Sequence, residues 1–576
     1  MATQQTAVEI PVVHEFPRCS RLSVACERIE EAINRRPAVV ILSLCASSFA
    51  VMAAQAVNKL MWFDEFITFY IAKLGSLRAI WAALARGADP NPPLSHWLAS
   101  LTMRAFGANS FAARLPFMLA GVAGLFALFA FLRRRIPPLY AATGVLLFMS
   151  TAAFDYFFEA RSYSLILAFS ALSLFFWQEA AEGRRPVWSS VALGVALAAG
   201  ISSNYFAVLA FFPIAAGELV RNLEKRRFEW RVWIAMAASG STLLLYLPLI
   251  NRAVARFSPY AWNKVDLDIA YDGYLLMVDH ILWLAVALLA ARLVATRCVL
   301  PAAERREHSL LGSAWKVARN TFAARRRSPA KYGLPWHEAV AVLFLVLYPF
   351  LGYVVASIRG GMLAPRFVLP VCFGIAIAAA TSGYKVFGKH SVAGVLFLAV
   401  VGTWFLAREG EVASDYYNER VAFNNVVHLL PNDRTLAVSD SLLVLPLHYY
   451  APPEIAARIV FPIDFRAIRQ YKGEDSPEEN LWAGRNGVFP VPIVPLDNFL
   501  DRTSNFLVVS TDDNWLLHRL VEDGDKPQEL PIFTDTRHIW AFTPLCHGPV
   551  WFFRNNAEDT LTASQFHPRA DGNTTQ

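Results

Sequence analysis

The sequence predicts a polytopic α-helical membrane protein of about eleven transmembrane helices with a C-terminal soluble α/β domain. Three observations carry this. Of 576 residues, 55% are hydrophobic and 17% charged, against about a quarter charged in an ordinary soluble domain, and the mean hydropathy is +0.36. Apolar runs recur along residues 37–407 too often for separate globular cores. The charge is also divided: residues 408–576 hold 14 Lys and Arg against 24 Asp and Glu, a net of −10, which leaves a net of +17 for residues 1–407. The basic residues of the larger part lie in short clusters between apolar runs, which marks cytoplasmic loops rather than a nucleic-acid surface.

Residues 1–36 form a polar N-terminal tail ending in Asn34-Arg35-Arg36, followed by an apolar run from Pro37 to Val57 that is long enough to cross a bilayer. A tail of this length without a small-residue cleavage site is expected as part of a retained anchor. Further runs fall at 113–132, 138–154, 162–178, 187–203, 205–220, 232–250, 274–296, 337–356, 367–383 and 391–407, making eleven. Pro92–Phe106 is apolar but short and carries Ser95, His96 and Arg104. If it does not cross, Arg133–Arg135, Arg184-Arg185, Lys225–Arg227, the arginine-rich 297–331 loop and Lys385 with Lys389 all share one side with Arg35-Arg36. It is therefore read as an interfacial or re-entrant helix, with the N-terminus cytoplasmic.

The outer face then bears a long first loop, 58–112, short loops near 155–161 and 357–366, a loop from 251 to 273, and the C-terminal domain, 408–555. In that domain Ser414–Leu430 and Trp515–Val521 read as helices, and Thr435–Ser439, Arg458–Ile463, Phe506–Ser510 and His538–Phe542 as strands. Leu481–Pro495, rich in Gly and Pro, reads as loop, and 556–576 as a mobile tail. Six scattered cysteines include no Cys-x-x-Cys pair and no zinc-ligand spacing.

Three outer segments place charge where charge is expensive. Asp64 and Glu65 sit within Met61–Tyr70, among Trp62, Phe63, Phe66 and Phe69, where the bilayer centre would cost about 2.5–3.5 kcal/mol per Asp. Either one of them caps the following helix and faces water, or one enters a site; adjacent residues diverge on a helix or strand, so both cannot point into the same place. Asp64 is the stronger candidate. Asp155, Glu159, Arg161 and Tyr163 follow the third span and, taken alone, also suit an ordinary membrane-end anchor. Arg366 stands at the mouth of the tenth span, against the positive-inside trend, and its planar fork of donors suits phosphate. His96 reads as a polar interfacial residue more readily than as a metal ligand.

In their order these residues resemble the polyprenyl-phosphate-dependent glycosyltransferases of GT-C fold, the superfamily of protein O-mannosyltransferases and the lipid A aminoarabinose transferase. The match runs from Asp64-Glu65 through Asn91-Pro92-Pro93-Leu94, Gly107, Ala113-Arg114-Leu115-Pro116 and Glu159-Ala160-Arg161-Ser162-Tyr163 to Pro365-Arg366-Phe367. The family's Arg-Pro-Tyr is Arg161-Ser162-Tyr163 here. The resemblance implies transfer of a monosaccharide from a polyprenyl-phosphate donor to an acceptor glycan, lipid or protein on the outer face of the cytoplasmic membrane. It further implies Asp64 as base with Glu65 beside it, Arg161 and Arg366 as donor phosphate clamps, Glu159, Tyr163 and His96 as substrate-binding residues, and an inverting reaction. Some members use a divalent ion; the sequence shows no strong ligand cluster for one, so the cofactor stays open. The rival class is a lipid or polyprenyl-linked substrate flippase, in which the same charges line a headgroup path and no bond breaks.

Overall fold

In the computed structural model the described residues are 21–298, 333–530 and 550–554, less positions 258, 262, 360–361, 431–432, 504, 510–513 and 524–526. The core of the arginine-rich 297–331 loop, the expected strand His538–Phe542 and the 556–576 tail lie outside them. Hydrophobic composition dictates the rest: the apolar runs form helices because a backbone in lipid must satisfy its own hydrogen bonds. Three of these helices, Pro37–Asn58, Pro138–Met149 and Pro186–Ser203, start on a proline. That is the position where its missing N–H costs nothing.

Among the described residues seven helices are long and apolar enough to cross a membrane, and nine crossings result if each of two bent pairs is one span. Two of the eleven expected runs fall on these bent pairs. Pro138–Met149 with Ala152–Phe158 bends by 76°, and Trp336–Val346 with Tyr348–Ile358 by 62°. The expected runs at 367–383 and 274–296 fall on Val371–Phe387, of 17 residues, and on the 32-residue helix Leu267–Cys298. Leu94–Phe106, with 13 residues, is a helix outside the spanning set.

The helices pack closely where glycine permits. A Cβ on Gly217 would lie 2.5 Å from the Trp177 ring and 2.8 Å from the His337 carbonyl oxygen, and one on Gly374 would lie 2.8 Å from the Val346 nitrogen. Small residues at such crossings let backbones approach when lipid supplies no hydrophobic drive between helices. Opposite the site, Arg135 grips the buried Glu338 through two hydrogen bonds of 2.6 and 2.5 Å, and Gln178 donates to the same carboxylate at 3.1 Å. The basic cluster at 133–135 is therefore partly neutralised by acids from other helices.

The helix Ser391–Leu429 has 39 residues. At about 1.5 Å per residue it outruns a hydrocarbon core of about 30 Å. It passes unbroken through the 407/408 boundary expected between membrane and soluble parts and delivers the chain to the α/β domain. Among the described residues six strands form the sheet: β1 Thr435–Val438, β2 Ile459–Ile463, β3 Ile493–Pro495, β4 Asn505–Val509, β5 Pro527–Leu530 and β6 Val550–Arg554, in the order β3-β2-β1-β4-β6-β5. The first four are parallel, and β6 runs antiparallel to β4 and β5. β1, β2 and β4 match the expected strands. The expected loop Leu481–Pro495 is corrected at both ends: Leu481–Gly484 completes the helix Ser476–Gly484, and Ile493–Pro495 is β3. β3 tolerates Pro492 and Pro495 because it lies at the edge of the sheet.

The domain is seated on the segment that follows the first span. Phe66 meets Tyr449 at 5.1 Å between ring centroids, Phe69 meets Tyr449 at 5.6 Å, and Tyr70 meets Phe489 at 6.2 Å. Tyr450 accepts a 2.9 Å hydrogen bond from the Met61 N–H, and Arg256 donates to Glu479 at 2.6 Å. The helix that bears Asp64 is thereby clamped between membrane bundle and domain.

Candidate functional site

The helix Phe63–Lys73 starts four residues after the first span, with both carboxylates in its first turn, where negative charge favours the N-terminus. No side chain caps that end. Asp64 and Glu65 diverge, as adjacent helical residues must, and enter different surroundings.

Glu65 is fully buried. Arg114 holds it through Nε at 2.8 Å and Nη2 at 2.6 Å, and the Ala160 N–H donates at 2.7 Å. Arg114 also donates to the carbonyl oxygens of Ala56 at 2.7 Å, Lys59 at 2.9 Å and Leu60 at 3.2 Å. Burial works against the charged carboxyl of Glu65, yet Arg114, Lys59 and the Ala160 N–H keep it below the usual carboxylate range. This pair welds the end of the first span, the Asp64 helix and the loop before Ser162.

Asp64 points the other way. Its Oδ2 lies 3.2 Å from Arg161 Nη2 and 3.8 Å from Arg366 Nη2. Arg161 also donates to the Asp64 carbonyl oxygen at 3.0 Å, which fixes the first helical turn. Arg366 donates through Nε to the Tyr163 hydroxyl at 2.9 Å, and its guanidinium lies 5.7 Å from the Trp62 ring centroid. Asp64, Arg161, Tyr163 and Arg366 thus come together from three separate parts of the chain. The two arginines differ in access: the Arg161 side chain is 7% exposed and that of Arg366 23%.

Behind Arg161 stands a group that the sequence reading did not single out. Asp89 Oδ2 accepts from His96 Nε2 at 3.1 Å and lies 3.5 Å from Arg161 Nη1, while Oδ1 accepts from the Asn91 N–H at 2.9 Å and its side-chain amide at 2.7 Å. Burial would raise its pKa, but the His96 hydrogen bond, the Arg161 charge and the Asn91 N–H hold Asp89 down at about 2. His96, fully buried, touches Asp89 and Ser95 and reaches Asp64 only through Arg161. The missed signal was the acidic start of Asp89-Pro90-Asn91-Pro92-Pro93, seven residues before His96.

Glu159 is separate again: it pairs with Lys59 at the end of the first span, and its Oε2 is buried without a hydrogen-bond partner. Burial and the nearby Glu65 raise its pKa despite Lys59. Asp155 pairs with Arg408, at 3.0 Å through Nη1, and so joins this region to the long helix Ser391–Leu429. Among the described residues no three His, Cys, Asp or Glu side chains converge as metal ligands. Chemically, the arrangement offers one partly exposed carboxylate beside two guanidinium groups and aromatic rings, next to a membrane.

Comparison with known proteins gives a family match over part of the chain and a fold match over most of it. Residues 90–251 match the family described as "Dolichyl-phosphate-mannose-protein mannosyltransferase". No curated protein matches the chain. Among solved structures, the chain shares its fold with ArnT from Cupriavidus metallidurans in the apo state, with a TM-score of 0.52, 11% identity, and coverage of 90% of this chain and 97% of that one. The same protein bound to undecaprenyl phosphate aligns at a TM-score of 0.47 with 13% identity, over 90% and 97% of the two chains. The S. cerevisiae protein O-mannosyltransferase Pmt1-Pmt2 complex bound to the sugar donor aligns at 0.30 with 14% identity, over 39% and 36%. The fold that the resemblance implies, a multi-span helical bundle with a C-terminal α/β region, is thereby borne out.

Proposed function

We propose that the chain is a membrane glycosyltransferase that moves a monosaccharide from a polyprenyl-phosphate donor to an acceptor on the outer face of the cytoplasmic membrane. The observation that carries the reading is Asp64, a partly exposed carboxylate held 3.2 and 3.8 Å from two arginines at the outer ends of the spans. Asp64 takes the proton of the acceptor hydroxyl as its oxygen attacks the anomeric carbon. The bond from that carbon to the phosphate oxygen breaks, and polyprenyl phosphate leaves as an anion stabilised by guanidinium groups. Attack opposite the phosphate inverts the anomeric configuration.

The two arginines divide the work. Arg161 is occupied by Asp64 and Asp89 and serves to orient the base. Arg366, the more exposed, is the phosphate clamp. Arg366→Lys is expected to weaken donor binding in spite of its retained charge, because a compact ammonium cannot reproduce a forked contact. Binding of a polyprenyl-phosphate sugar to wild type, Arg366→Lys and Arg366→Ala in one detergent checks this, and unchanged affinity in a folded variant transfers the clamp to Arg161. The reading as a whole is tested by incubating purified protein with that donor and candidate acceptors and following sugar transfer by mass spectrometry.

Sidedness is part of the same proposal. Reporters active only in the periplasm or only in the cytosol, fused after Arg327 and after Gln576, are expected to report opposite compartments, with Gln576 outside. Identical reports from the two sites would reverse an odd number of crossings between them.

A further inference from the structure

A cleft of about 610 Å³ opens in the α/β domain, away from Asp64. It lies where β2 ends at Ile463 and β3 at Pro495, outside the carboxyl ends of parallel strands. Open α/β sheets bind ligands at such edges, and the volume falls within the roughly 300–1,000 Å³ of small-molecule sites. Its lining combines the rings of Phe465 and Trp482 with Asp464, Gln470, Asp497 and Arg519.

We propose that this cleft binds a neutral or amino sugar unit of the acceptor. Aromatic faces carry negative charge density that attracts the polarised C–H face of a sugar ring, while carboxylates, an amide and a guanidinium supply in-plane partners for its hydroxyls. The indole is already ordered: the Arg485 guanidinium stacks 3.6 Å from its centroid and Phe465 meets it edge-on at 6.2 Å. Asp464 is likewise set, since it accepts from the N–H groups of Arg466 at 2.9 Å and Ala467 at 3.2 Å, with Arg519 Nε at 3.6 Å. Little conformational freedom is then lost on binding.

Charge selects among saccharides. Asp464, Asp497 and Glu522 line the cleft against Arg466 and Arg519, and residues 408–576 carry a net −10. A phosphorylated or uronic acid unit is repelled by this field, whereas a neutral or protonated amino sugar is accepted. The helix Ser476–Gly484, which bears Trp482, is tied to the membrane bundle at the helix Thr242–Phe257, where Arg256 donates to Glu479 at 2.6 Å. Naming the ligand as acceptor rests on the glycosyltransferase reading; the cleft's preference for uncharged or amino saccharides does not.

The test uses the full-length protein in nanodiscs and saturation-transfer NMR with three probes: maltotriose, a glucosamine trimer and a hyaluronate tetrasaccharide. Maltotriose or the glucosamine trimer is expected to bind, with affinity lowered about tenfold or more in Trp482→Ala and in Asp497→Asn. Asp497 is exposed, so its variant keeps the fold where Trp482→Ala risks it, and donor-lipid binding in Asp497→Asn is expected to equal wild type. Saccharide binding by an Asp64→Asn protein that no longer turns over supports the cleft independently of catalysis. Saccharide binding without any sugar transfer by wild type upholds the cleft and removes the acceptor assignment. Binding of hyaluronate alone, no binding of any probe, or binding unchanged in both cleft variants overturns the proposal.

Discussion

Asp64→Asn is expected to lower sugar turnover by about a hundredfold to ten-thousandfold, the usual contribution of a general base, with donor binding close to wild type. The amide keeps the shape of the carboxylate and loses its basicity. Its neighbours make the two readouts separable: the Asp64 backbone carbonyl still accepts from Arg161 at 3.0 Å, and Arg366 keeps its hydrogen bond to Tyr163 at 2.9 Å. The measurement is turnover beside donor affinity in the same preparation. Near wild-type turnover in a folded Asp64→Asn protein would remove the base from this position. A parallel loss of donor affinity would instead make Asp64 a residue that sets the arginines.

Glu65→Gln is expected to fail by a different route, as a loss of folded protein. All three contacts of the Glu65 carboxylate are N–H donors: Arg114 Nε, Arg114 Nη2 and the Ala160 N–H. An amide must turn its own NH2 against one of them and leaves the buried Arg114 without a counter-charge. Breaking one side of a buried ion pair costs about 3–5 kcal/mol. Thermal unfolding at a fixed scan rate should show a lowered midpoint, since membrane proteins of this kind unfold irreversibly and the rate of heating matters. Turnover per folded molecule should fall far less than in Asp64→Asn. A Glu65→Gln protein with unchanged thermal stability and no turnover would move the base one residue along.

Much of the architecture was legible because partition between lipid and water depends on local composition. Each of the eleven apolar runs lies on a helix or bent helix pair, and the proline starts at Pro37, Pro138 and Pro186 were visible in the chain. Whether a run crosses in one piece was not, because the bends of 76° and 62° arise at short breaks, Ser150-Thr151 and Leu347 just before Pro349, inside runs whose length alone reads as one crossing. In the α/β domain β1, β2 and β4 announced themselves as β-branched and aromatic runs, but β3 is three residues that follow Pro492 and end on Pro495, with no periodicity to read.

For the site, the sequence by itself determined that a carboxylate pair, two arginines and a tyrosine stand at the ends of membrane spans, and that Asp64 and Glu65 must part. These follow from hydropathy and from the angle between successive helical residues. Only the tertiary structure decided which partner each one has. Glu65 meets Arg114 across 49 residues, Arg161 approaches Asp89 across 72, and Arg366 meets Tyr163 across 203. A desolvated charge is stable only beside a partner with good geometry, and that partner can come from any part of the chain that packing brings near. Folding thereby made Glu65 part of a structural weld, set Asp89 and His96 behind Arg161, and left Asp64 and Arg366 as the more accessible charges of the site.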